Sequence, residues 1–257
     1  MYDAPWVRAA NDSLWAALRR ALRDGGMEDV PEALDRDRDL RAIWHDPHLL
    51  LAQTCGYPLL TELAGAVRLV ATPLYDVPGC DGPLYRSMVV VRADDAVRDV
   101  PGLRGRRCAM NGRDSNSGMN VLRALLAPLA PNGRFFGAVI ESGGHLRSMA
   151  MVRDGTADVA AIDCVTWGQA RRFHPEALDG LRVLAETEST PALPFVTAAA
   201  TDDATVAALR SALRQALRDG AGAGLCLTGV QVLQREDYEP IMALEQAALA
   251  QGYPLLA

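Results

Sequence analysis

The sequence predicts an α/β protein, built either as one large domain or as two lobes of about 100 to 150 residues. Three observations carry this. The chain has 257 residues, more than a single core usually holds. Apolar runs of strand length alternate with stretches of helical periodicity along most of it. Hydrophobic residues make up 49% against 23% charged, enough for an ample core and against disorder.

Taken in order, the first element is a helix over residues 11 to 25. It opens with Asn11, Asp12 and Ser13, carries Leu14, Leu18 and Leu22 on one face, and stops at Gly25-Gly26. After a second helix, Leu49 to Ala52 reads as a strand leading into the loop Gln53 to Pro58. Val67 to Ala71 and Met88 to Val91 are further short apolar strands. From about residue 95 the alternation repeats. Arg107 to Met110 reads as strand, Met119 to Leu129 as helix, Phe135 to Ile140 as strand, Leu146 to Arg153 as helix and Val159 to Ile162 as strand. Thr187 to Pro194, with two prolines, reads as a connector. Phe195 to Ala198, a helix at 203 to 218 and another at 239 to 250 complete the chain. Such alternation predicts mostly parallel sheets flanked by helices, with ligands at the carboxyl ends of the strands.

Composition removes several chemistries. All 26 basic residues are arginine, so Schiff-base catalysis, the phosphate-cradling P-loop and the kinase lysine have no residue to perform them. A net charge of −6 argues against nonspecific nucleic-acid binding. No apolar stretch reaches the roughly 18 residues of a membrane span. The start lacks a basic and an apolar signal region, so the chain as sequenced is expected in the cytoplasm, or in the periplasm if an upstream signal was removed. Five scattered cysteines lack metal-site spacing, and His45 and His48, with Pro47 between them, have no third ligand; no metal and no cofactor is expected. Gly220 to Gly224 follows a helix and does not fit a dinucleotide fingerprint. Cys55 and Cys80, each after a predicted strand, leave a disulfide open.

Two glycine-bearing turns carry the candidate site. Asp114-Ser115-Asn116-Ser117-Gly118 lies between a strand and a helix, where free N–H groups and the positive end of the helix dipole favour an anion. Ser115 and Ser117 would serve there either as neutral donors to an oxyanion or as ordinary helix caps. Glu141-Ser142-Gly143-Gly144-His145 opens the next helix in the same way, with His145 in its first turn as a cap or as a ligand contact.

Six segments in this order resemble the PhnD-like phosphate, phosphite and phosphonate substrate-binding proteins of ABC transporters, which have the type II periplasmic binding protein fold. They are Met1 to Pro5, Gln53 to Pro58, Gly79 to Ser87, Ser115 to Gly118, Gly144-His145 and Asp158 to Asp163. The resemblance implies a two-lobed fold with lobe one formed by 1–92 plus 191–257, lobe two by 93–190, and two hinge strands between them. It implies a binding protein and not an enzyme, a monomer that takes a small anion between its lobes and delivers it to a permease. The Ser115-Asn116-Ser117 turn and His145 would hold the oxyanion, and Tyr85 would close the pocket from the other lobe. Tyr2, Gln53 and Tyr57 would line lobe one; Ser87, at the end of the third segment, and Ser148, in the turn that runs on from His145, are counted with the ligand-binding residues. Binders of aminoalkylphosphonates in this family place an acid before the second crossing, whereas Ser189 to Pro194 has none. Asp163 would then supply a carboxylate to the ligand or simply cap the following helix. The same fold also hosts menaquinone-pathway dehydratases and thiamin pyrimidine synthases, and a cytoplasmic anion sensor is a third reading.

Overall fold

The computed structural model describes residues 2–257; Met1, part of the opening segment quoted above, lies outside them. In chain order the elements are α1 (Arg8–Asp24), α2 (Leu40–Trp44), β1 (Ala52–Gln53), α3 (Gly56–Leu60), β2 (Val67–Tyr75), β3 (Leu84–Tyr85), β4 (Ser87–Arg92) and β5 (Arg107–Met110). A single π-helical turn, Asn116–Asn120, then runs into α4 (Val121–Leu126). There follow β6 (Ala138–Glu141), α5 (His145–Arg153), β7 (Val159–Asp163), α6 (Cys164–Phe173), β8 (Leu181–Glu186), β9 (Thr190–Pro191), β10 (Phe195–Ala198), α7 (Asp203–Arg218), β11 (Leu227–Gln231) and α8 (Glu239–Ala250).

The chain folds as two compact units. The first comprises the residues up to Asp76, Asp81–Pro83 and Pro191–Asp237; the second comprises Val77–Cys80, Leu84–Thr190 and Tyr238–Ala257. The division differs from the expected one at three places, since Val77–Cys80, Leu84–Arg92 and Tyr238–Ala257 all fall in the second unit. Ser87–Arg92 belongs to the second unit, because β4 is an interior strand of its sheet. Residues 238–257 also belong there, because α8 packs on α4.

In the first unit the sheet order is β1-β10-β2-β11, and every neighbouring pair is antiparallel. Helix α1 buries Leu14, Leu18 and Leu22, the face its sequence predicted, and packs on α7, which buries Val206, Leu209 and Leu213. Asp202 starts α7 by accepting the Thr205 amide at 2.7 Å, an N-cap of the kind worth about 1 kcal/mol.

The second unit has the order β6-β5-β7-β4-β8. Only β6, β5 and β7 run parallel, while β4 is antiparallel to both β7 and β8. The sheets are therefore mixed, not mostly parallel: β4 is followed by no crossover helix, and its fully apolar core positions Met88 to Val91 do not reveal direction. The predicted strand at Phe135 to Ile140 is shortened for a specific reason. The amides of Phe135 and Phe136 donate to the Ala257 carbonyl at 2.6 and 2.9 Å, so they do not enter a ladder. Arg123, with its side chain only 4% exposed, reinforces this closure by donating to Pro254 O at 2.9 Å and pairing with Glu245 at 3.2 Å.

Candidate functional site

Because β6, β5 and β7 are parallel neighbours, their carboxyl ends share one edge of the second unit, and each is followed by a helix N-terminus. Ser115 to Ser117 follow β5, Gly144-His145 follow β6, and Asp163 ends β7. Antiparallel β4 begins at this same edge, with Ser87 opposite Asp163. Side chains from four strand ends thus converge without any long loop.

His145 is the centre of the arrangement. Its Nε2 lies 3.0 Å from Ser117 Oγ and 2.9 Å from Asp163 Oδ2. A carboxylate only accepts, so the hydrogen resides on Nε2 and is shared between the two oxygens. The hydroxyl hydrogen of Ser117 is therefore not spent on His145. On the far side of the ring Nδ1 is buried and has no protein partner.

Asp163 is the cap that its position allowed, and its carboxylate also reaches His145. It caps α6, accepting the Thr166 amide at 2.8 Å and the Thr166 hydroxyl at 2.7 Å, and it fixes the imidazole. Burial pushes its carboxyl upward, but the His145 imidazole and the Thr166 hydrogen bonds outweigh that and hold it below the usual carboxylate range.

The three helix starts at this edge differ. Ser115 caps its own helix by accepting the Gly118 amide at 2.9 Å, so of the two serines it is the one that acts as a cap. Asp163 caps α6. Helix α5 begins after Gly144 with no side-chain cap, so the amides of its first turn face outward toward whatever acceptor reaches them.

The other expected residues are placed as follows. Asn116, fully buried, donates from Nδ2 to Tyr85 OH at 3.2 Å and to Thr190 Oγ1 at 2.9 Å, and accepts from Asn120 at 3.1 Å. Its amide belongs to a buried network that holds the turn. Tyr85 sits in the same unit as this turn, not in the other one as expected, because β3 directly precedes β4. Ser87 Oγ donates to Ser117 O at 2.9 Å and so positions the residue that faces His145. Ser148 is buried and bonded to Ser142 Oγ at 2.6 Å and to Asn111 Oδ1 at 3.0 Å, a clamp between the two turns.

Tyr2, Gln53 and Tyr57 lie in the first unit. Gln53 donates to Tyr75 OH at 3.2 Å and Leu193 O at 3.1 Å, and Tyr2 meets the Tyr75 ring edge-on at 5.5 Å. Tyr2 and Gln53 also line a cavity of about 480 Å³ with Leu14, Trp15, Leu49 and Phe195; Tyr57 does not.

Thr166, Thr190, Asn120 and Asn111 are site-supporting residues that sequence reasoning missed. Only Thr166 carried a usable signal, lying three residues after Asp163 at the start of a helix. Cys55 and Cys80 belong to different units and are not joined as a disulfide, and the sulfur beside Cys80 is that of Cys164. Among the described residues no cluster of three or more His, Cys, Asp or Glu could hold a metal, and no helix is long and apolar enough to cross a membrane.

A family profile described as ABC transporter, phosphonate, periplasmic substrate-binding protein matches residues 46–238. No curated protein matches the chain. Among solved structures, it is similar to a binding protein component of an ABC phosphonate transporter from Pseudomonas aeruginosa, with 17% identity, a TM-score of 0.73, and coverage of 93% of this chain and 82% of that one. PhnD1 from Prochlorococcus marinus, in complex with methylphosphonate, is 14% identical with a TM-score of 0.71, covering 95% and 94%. A Xanthomonas citri protein bound to ATP is 18% identical with a TM-score of 0.68, again covering 95% and 94%.

Proposed function

Since the chain belongs to the family of ABC-transporter periplasmic substrate-binding proteins for phosphonate, we propose that it takes a small phosphonate, phosphite or phosphate at the His145 edge of the second unit. Family membership brings with it a small-molecule ligand and a permease partner. The periplasm is the compartment we propose.

One observation supports this placement above the rest. Ser117 and Asp163 engage the same nitrogen of His145, which leaves the Ser117 hydroxyl hydrogen and the uncapped amides of α5 for an external acceptor, with the buried Nδ1 as a further hydrogen-bonding atom at the same edge. An oxyanion with two or three equivalent oxygens suits such a set of donors. Capture relies on these hydrogen bonds and on the helix dipole.

The same observation favours binding over catalysis. A serine nucleophile and its orienting carboxylate engage opposite nitrogens of the shared histidine, so that the ring can pass a proton between them. With both on Nε2, His145 cannot deprotonate Ser117 while bound to Asp163.

The PhnD1 relative in complex with methylphosphonate, together with the acid-free stretch Ser189 to Pro194, favours a ligand without an amine. Calorimetric titration with methylphosphonate, phosphite, phosphate, aminoethylphosphonate, sulfate and ATP tests the reading. Methylphosphonate, phosphite or phosphate should bind in preference to the other three. Preference for ATP or sulfate, or binding by none, would overturn it.

A further inference from the structure

Beside the anion edge, the second unit holds two thiols in contact. Cys80 Sγ and Cys164 Sγ are 3.4 Å apart. Their approach is built by glycine. The turn Val77–Cys80, closed by Cys80 N donating to Val77 O at 3.1 Å, lies along one face of α6. A Cβ at Gly79 would sit 2.8 Å from Cys164 Cβ, and one at Gly168 would sit 2.6 Å from Val77 Cβ. Cys164 and Gly168 are four residues apart, so they share that face. Gly79 also has φ +97, which a side chain would resist. Two positions that hold no side chain are thus what let the sulfurs meet.

We propose that Cys80 and Cys164 form a thiol modification site, which closes to a disulfide by exchange with a small-molecule disulfide and thereby weakens anion binding at His145. Cys80 is half-buried and Cys164 is buried, so Cys80 reacts first. Its thiol releases a proton to solvent, and the thiolate attacks one sulfur of the reagent, forming a mixed disulfide and expelling one small thiolate, which takes up a proton. Cys164 then loses its proton, attacks Cys80 Sγ and expels the second small thiolate. The protein loses two hydrogens and two electrons, and the reagent is reduced to two thiols. The neighbouring Cys80 sulfur and burial push the Cys164 thiol upward, consistent with its acting second.

Closure reaches the site through one peptide bond. Bringing the sulfurs from 3.4 Å to a bond of about 2.05 Å draws the first turn of α6 toward the 77–80 turn. Asp163 is the cap of that turn and the acceptor for His145 Nε2, so the imidazole moves with it. This second half rests on the reading that His145 meets the anion.

The test incubates the full chain with oxidised glutathione, maps its peptides by mass spectrometry and titrates methylphosphonate before and after. The expected result is a cross-linked 80–164 peptide and an affinity about tenfold weaker, within the usual range of site coupling and reversed by dithiothreitol. C80S should bind equally before and after treatment. Absence of the cross-link, a Cys80–glutathione adduct that never resolves, or undiminished affinity in the cross-linked protein would overturn the proposal. If the reduced protein binds no phosphonate, phosphite or phosphate, the functional reading and the coupling fall together, while the peptide map still decides the thiol pair.

Discussion

Gly118 stands directly against Asn111: a methyl group at Gly118 would lie 2.5 Å from Asn111 Cγ and 2.7 Å from its Cβ. Asn111 in turn accepts from Ser148, so the contact locks the turn at Ser115 to Gly118 to the one that opens α5. Gly118→Ala should therefore force Asn111 aside and cost about 1–3 kcal/mol, the usual price of overpacking a close contact. Urea denaturation measures it, and a change below about 0.5 kcal/mol would show that Asn111 yields freely.

Ser117→Ala removes a hydroxyl that faces His145 while leaving the Ser115 cap and the Ser87 contact to its carbonyl intact. The fold should persist, and affinity for methylphosphonate should fall by about 1.5–3 kcal/mol, the range for a hydrogen bond to a charged group. Calorimetry with matched circular dichroism separates the two. Ser115→Ala, by contrast, should cost about 1 kcal/mol of stability through the lost cap.

Asp163 contributes to the acid limb of stability. Its carboxyl titrates below the usual 3.8 in the folded protein, so the stability it contributes is present above that value and is lost as pH falls through the lower, folded one. Between pH 5 and 8 this group adds no pH dependence. Asp163→Asn should be less stable than the parent at pH 7, and the gap should narrow below about pH 4. Denaturation midpoints across pH 2 to 8 test the sign, and a gap that widens on acidification would contradict it.

Arg123→Ala removes the ion pair to Glu245 and the hydrogen bond to Asn120 Oδ1. Glu245 keeps some solvent contact, so the expected loss lies at or below the lower end of the about 3–5 kcal/mol seen on breaking buried pairs. Amide exchange should also speed up at Phe135 and Phe136, whose donors depend on the tail that Arg123 anchors.

Elements governed by local pattern were legible in the sequence. The strand Arg107–Met110 and the helices Asp203–Arg218 and Glu239–Ala250 stand where their periodicity placed them, as does the α5 start at His145. Strand direction was not legible, because Met88 to Val91 is apolar on both faces and reads the same either way. Nor was the allegiance of residues 238–257, which depends on partners such as Asn120, more than a hundred positions earlier. For the site, Ser117, His145 and Asp163 could be found because each stands at a strand-to-helix junction. Their shared use of one imidazole nitrogen is a matter of sheet order, and the buried contacts of Asn116, Asn120 and Thr190 leave no local trace.

The docking of Ala257 onto Phe135 and Phe136 also bears on synthesis at the ribosome. Strands β5, β6 and β7 emerge long before the segment that satisfies those two amides. Until residues 238–257 leave the exit tunnel, α4 lacks its cover, and a chain truncated before them would lack the acceptor for the Phe135 and Phe136 amides.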